Sequence, residues 1–81
     1  MQPITHPTVD MLERVDQYFH NNGYILYCVY DETDNNLYWS IENRNDSSKG
    51  MTFDNFTQVY DYYMYCMKHG FRLYTISEIV K

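Results

Sequence analysis

The side chains of this chain that could do chemistry are two cysteines, three histidines and a large set of carboxylates. Cys66 and His69 stand three apart, so on a helix they share a face. Cys28 and His20 would have to complete a four-ligand zinc site, but structural zinc sites are built from two close ligand pairs, and Cys28 has no near partner. The expected roles are therefore ordinary ones. Cys28 reads as a buried strand residue and Cys66 as a residue in or near a helix core. His69 reads as a helix-terminal residue, placed where the helix dipole favours a cation. Ser40, Ser47, Ser48 and Ser77 lie in no G-x-S-x-G elbow, and Cys28 or Cys66 could serve as a nucleophile only if the fold brought a histidine beside it. Three glycines cannot build a phosphate-cradling loop, and neither G-x-G-x-x-G nor a P-loop is present. The reading is a protein that is not an enzyme, with no cofactor and no metal.

The carboxylates carry more information. Eleven Asp and Glu face six Lys and Arg, a net charge of −5, which argues against direct binding of nucleic acid. The excess is concentrated. Residues 1–48 hold eight acids (Asp10, Glu13, Asp16, Asp31, Glu32, Asp34, Glu42 and Asp46) and only two bases, Arg14 and Arg44. Residues 49–81 hold three acids and four bases. Asp10, Glu13 and Asp16 recur every third residue, with about 4.5 Å of helical rise between members. Side-chain splay widens that toward the roughly 6–7 Å between phosphates on one DNA strand, about twice the axial rise per nucleotide. Asp31, Glu32 and Asp34 cluster in a turn. The ordinary reading is a solvated helix face, partly neutralised by an Asp10–Arg14 pair, and a polar turn. The sharper reading is a surface that imitates a phosphate backbone, with Glu42 and Asp46 as secondary contributors.

The elements that must position these groups follow from periodicity. At 81 residues the chain is one domain, 1–81, with residues 1–7 as an extended arm because Pro3 and Pro7 disfavour helix before them. Thr8 caps a helix over residues 9–20, whose apolar stripe is Leu12, Val15 and Phe19, widened by Met11 and Tyr18. Asn22-Gly23 stops it. Residues 24–30 read as a strand partly covered on both faces, 31–36 as a turn, 37–42 as the returning strand and 43–50 as a polar loop. Thr52 is expected to cap a second helix over 53–69 that buries Phe53, Phe56, Val59 or Tyr60, Tyr63 and Met67, with Gly70 as its stop. Residues 71–75 read as a third strand, and 77–81 as its continuation or one helical turn. The expectation is an α+β fold, order α-β-β-α-β, with a small antiparallel sheet and two helices on one face.

Ten Tyr, four Phe and one Trp make 19% of the residues aromatic. Tyr60, Tyr62, Tyr63 and Tyr65 crowd one helix and point in several directions, so they cannot all be core. One reading is a thin core padded with Tyr, each hydroxyl at a polar boundary. The other is an interaction face, with Tyr62 or Tyr65 exposed, serving a partner or a homodimer without DNA mimicry. The absence of an apolar run longer than residues 24–30, together with Pro3, His6 and Pro7 near the start, implies no leader, no membrane span and a cytoplasmic protein with reduced thiols.

This profile resembles the small acidic proteins that lytic phages make to disable host machinery. These are single domains rich in Tyr and Asn, free of cofactor motifs, and many are DNA mimics, including inhibitors of the bacterial nucleoid protein HU. The resemblance is one of composition across the whole chain. It implies a binding inhibitor whose carboxylates occupy the basic groove of a host DNA-binding protein, with host takeover as its purpose.

Overall fold

A computed structural model describes residues 7–79. The expected arm over residues 1–7 thus lies outside the described residues except for Pro7, and so do the last two residues of the undecided segment. The fold is α+β, built from α1 (Val9–Asn21), β1 (Tyr24–Asp31), β2 (Asn36–Asn43), β3 (Gly50–Phe53), α2 (Phe56–His69) and a single turn, α3 (Ile76–Ile79). The strands form one antiparallel sheet in the order β1-β2-β3.

Helix α1 begins where the cap chemistry places it, with Thr8 Oγ1 accepting from Met11 N at 3.2 Å. It ends at Gly23, whose φ of 84° is open to glycine at no steric cost. The hairpin is in register from Tyr24↔Asn43 to Asp31↔Asn36, with Asn35 at φ 53° in the turn. That register puts Tyr24 and Leu26, Ile41 and Trp39, and Met51 and Phe53 on one face. Both helices cover this face. Val15 and Phe19 from α1, and Phe56, Val59, Tyr62 and Cys66 from α2, complete one core with Tyr24, Ile41 and Phe53.

Three expectations are corrected. The third strand precedes α2, so the order is α-β-β-β-α. The 43–50 loop ends in a strand because Gly50 enters pairing with Glu42, where a Cβ would stand 2.3 Å from the Ile41 carbonyl oxygen. Only glycine permits that approach. Helix α2 starts three residues later than expected. Its cap is Asn55, whose side chain accepts from Gln58 N at 3.0 Å while Gln58 Oε1 accepts from Asp54 N at 2.9 Å. This reciprocal pair satisfies donors that Thr52 would have left open. The helix therefore buries Phe56, Val59, Tyr62, Tyr63 and Cys66, leaving Met67 exposed.

Residues 71–75, finally, join no strand. Tyr62 claims their backbone: its hydroxyl donates to Arg72 O at 2.8 Å and accepts from Tyr74 N at 3.2 Å. Tyr74 Oη in turn donates to Gly70 O at 2.7 Å. Arg72 lies 4.2 Å over the Tyr74 ring and 3.9 Å from Glu78.

Candidate functional site

The acidic residues singled out by the sequence fall into three places. Asp10, Glu13 and Asp16 are exposed on α1. Asp31 is half-buried at the end of β1, where its Oδ1 accepts from Thr33 N at 2.9 Å; Glu32 and Asp34 are exposed in the turn. Glu42 and Asp46 sit at the other end of the β1–β2 ladder, since Glu42 pairs with Ile25.

Asp10 and the turn over residues 31–34 lie toward the same end of the molecule, whereas Glu13 and Asp16 stand beside Leu26, nearer the other end. Chain direction reverses at Gly23, and Leu12, Glu13 and Asp16 border a groove of about 220 Å³ with Leu26 and Trp39, so α1 runs back along β1. From that turn α1 extends about 18 Å to Asp10, at 1.5 Å per residue. Strand β1 extends about 23 Å to Asp31, at 3.3 Å per residue. Among the described residues the ion pairing is Arg72–Glu78 alone; Asp10 is not paired with Arg14.

Glu42 and Asp46 are occupied instead. Glu42 accepts from Tyr27 Oη, an interaction that raises the tyrosine's pKa above its ordinary 10.0 because the bond holds the phenol proton. Asp46 accepts from Ser48 Oγ at 2.6 Å and Ser48 N at 3.1 Å. The hydroxyl first, then the amide, lowers its carboxyl pKa below the ordinary 3.8.

A second acidic place was not read from the sequence. Asp31, Asp34, Asn36, Tyr38, Thr52, Phe53 and Asp54 line a groove of about 310 Å³ at the hairpin-turn end of the sheet. Asp54 was grouped with the nearly neutral second part of the chain, and β3 was not recognised. The alternation Asn36, Tyr38, Ser40, Glu42 in β2 was the signal that could have placed Tyr38 beside Asp31.

The other chemistry-bearing residues are dispersed. Cys28 is exposed rather than buried, while Cys66 is a core residue as expected, and burial pushes its thiol above the ordinary 9.0. His69 packs against Tyr65 with ring centroids 4.3 Å apart. Among the described residues no group of three or more His, Cys, Asp or Glu could hold a metal ion, and no helix is long and apolar enough to cross a membrane.

The aromatics divide as well. Tyr62 is fully buried and belongs to the core, so it is not available as an interface residue; Tyr65 is half-buried against Tyr74 at 4.7 Å. Tyr27 and Tyr30 are the exposed tyrosines, with Tyr30 Oη donating to Asn35. Along β1 the helices cover Tyr24 and Leu26, while Cys28 and Tyr30 further along the same face are exposed, as is Ile25, 47% exposed, on the other face.

No protein-family model, no curated protein and no solved structure matches this chain.

Proposed function

We propose that the protein is a non-enzymatic acidic inhibitor that binds a basic, DNA-binding host protein and imitates DNA phosphates, in the manner of phage host-takeover proteins. One observation supports the reading above others: Asp10, Glu13, Asp16, Glu32 and Asp34 are exposed and form no ion pair among the described residues. Carboxylates already paired within the molecule would gain little from a partner's Lys and Arg. These five retain their field, which steers encounter and raises the on-rate. Mechanism is competition: the carboxylates meet the cations that otherwise hold phosphates. Glu42 and Asp46, committed to Tyr27 and Ser48, are peripheral. A partner of this kind is met in the cytoplasm.

The test is capture of a purified HU-type nucleoid protein, with duplex DNA as competitor, at about 50 and 500 mM salt. Binding should weaken strongly at the higher concentration, and duplex DNA should displace the acidic protein. Retention unchanged across that range, or a ternary complex with DNA, would sink the proposal.

A further inference from the structure

The sheet face turned away from α1 and α2 is uncovered among the described residues. Its centre is apolar and aromatic: Ile25, Tyr27 and Val29 from β1 lie beside Tyr38 and Ser40 of β2 and Thr52 of β3. Ser40 is only 8% exposed there, because its register neighbours Tyr27 and Thr52 flank it. The platform is thus already partly closed at the level of its smallest member. One end carries the groove with Asp31, Asp34 and Asp54, and neither Asp34 nor Asp54 forms an ion pair among the described residues. Arg44 and Lys49 lie toward the other end, past Glu42.

Charge decides what fits. A second copy would bring another −5 chain onto this face. It would also bury little: two eight-residue strands and one of four residues, at about 3.3 Å per residue and 4.8 Å between strands, give roughly 320 Å² per copy. A standard interface needs about 800 Å² per partner. A cationic segment meets no such repulsion. The groove has the composition to distinguish cations, because a guanidinium can lie flat on Tyr38 while its edge donates to flanking carboxylates. The chain uses this arrangement internally, with Arg72 4.2 Å over the Tyr74 ring and 3.9 Å from Glu78.

We infer that the uncovered sheet face docks an arginine-bearing extended segment of a basic protein, its apolar residues on Ile25, Tyr27 and Val29 and an arginine on Tyr38 between Asp31, Asp34 and Asp54. This rests on the reading of the protein as a binder of basic partners and adds the face and the preferred cation.

The experiment is an NMR titration of the isotope-labelled full chain with two synthetic peptides of equal length, one alternating Arg and Val, the other Lys and Val. The Arg peptide should shift amides of Tyr27, Tyr38, Thr52 and Asp54 and bind about fivefold more tightly than the Lys peptide. Asp54→Asn and Tyr38→Val should each weaken it about three- to tenfold, and Tyr38→Phe, which keeps the ring, should restore it. A Met67→Gln variant, on the exposed side of α2, should leave peptide binding within about twofold; an Asp10→Lys/Glu13→Lys/Asp16→Lys variant of α1 is tested for nucleoid-protein capture once its spectrum shows the native fold. Shifts confined to α1, or equal affinity for both peptides, overturn the inference. If the nucleoid protein is captured and the α1 variant abolishes capture while Asp54→Asn and Tyr38→Val do not, the acidic reading stands and the docking face is wrong. If neither the peptides nor the nucleoid protein bind, both fall.

Discussion

The two faces of the sheet solve the same problem, a tyrosine-rich surface, in opposite ways. On the helix side, ring packs on ring: Phe53 and Tyr62 at 5.3 Å, Phe19 and Tyr62 at 6.0 Å, Trp39 and Phe56 at 5.1 Å. The buried hydroxyl of Tyr62 is satisfied twice, by Arg72 O and Tyr74 N. On the outer side Tyr27 is exposed and Tyr38 half-buried, and the nearby carboxylates of Asp34 and Asp54 form no ion pair among the described residues. A Tyr core in a thin domain requires backbone groups to be delivered to each hydroxyl. Here residues 70–75 make that delivery, which is why they leave the sheet. On the outer face Tyr27 donates to Glu42 and Ser40 to Met51 O at 3.3 Å, so the carboxylates at the Asp31 end are the groups left to another molecule.

The largest test of this contrast is a pair of truncations. Phe19→Ala opens the closed side and should cost about 3–5 kcal/mol. That is comparable to the whole stability of a domain this small, roughly 4–12 kcal/mol at 0.05–0.15 kcal/mol per residue. Val29→Thr on the open side should cost under about 1 kcal/mol. Urea unfolding reads both, and similar losses would mean that the outer face is covered in solution.

Next in size is Tyr62→Phe, which removes one donor and leaves Tyr74 N without its acceptor. The expected loss is about 1–3 kcal/mol. Hydrogen exchange should quicken at Tyr74. A Tyr27→Phe variant, whose parent bond to Glu42 is fully exposed, should leave stability nearly unchanged.

How far the sequence revealed this contrast depends on the range of the forces involved. Helix α1 and the hairpin were legible because their apolar periodicity and turn chemistry are local: residues 9–20 were read against an observed Val9–Asn21, and 24–30 with 37–42 against Tyr24–Asp31 with Asn36–Asn43. Strand β3 was hidden because Phe53 and Phe56 are three apart, a helical spacing, although a turn separates them. The cap signature Asn55-x-x-Gln58 was present and marks the true start. Residues 71–75 alternate like a strand, yet their fate was set by a hydroxyl ten residues away in sequence. Of the acidic site, the residue types were legible and their grouping was not. The distribution of charge along the chain pointed to α1 and the turn, whereas Asp54 joins Asp31 and Asp34 only through the fold.

pH offers a further separation of the two faces. Burial raises the phenol of Tyr62 above its ordinary 10.0 and the thiol of Cys66 above 9.0, so the folded state holds both protons more tightly than the unfolded chain. Their stabilising contribution is complete below about pH 8.5 and is lost as pH climbs past the unfolded values toward the folded ones. Thermal unfolding should show a flat Tm to about pH 8.5 and then a decline. In Tyr62→Phe the part of the decline beginning near pH 10 should be missing. Absorbance at 295 nm should show Tyr62 ionising only with unfolding.

The smallest effect concerns the two ends of the outer face. Asp46 is an acid the protein has already engaged: the Ser48 hydroxyl and amide both bond its carboxylate and lower its pKa from the ordinary 3.8. Ser48→Ala removes the hydroxyl and leaves the amide. The Asp46 carboxyl, followed by carbon-13 NMR, should therefore move up toward 3.8 without reaching it. A folded pKa that is depressed contributes stability above the unfolded value and loses it as pH falls through the folded one. The difference in Tm between parent and variant should then be present at pH 6 and shrink below about pH 4. If Asp46 does not move in Ser48→Ala, the carboxylate is as free as Asp34 and Asp54, and the distinction between an occupied end and an open end of this face disappears.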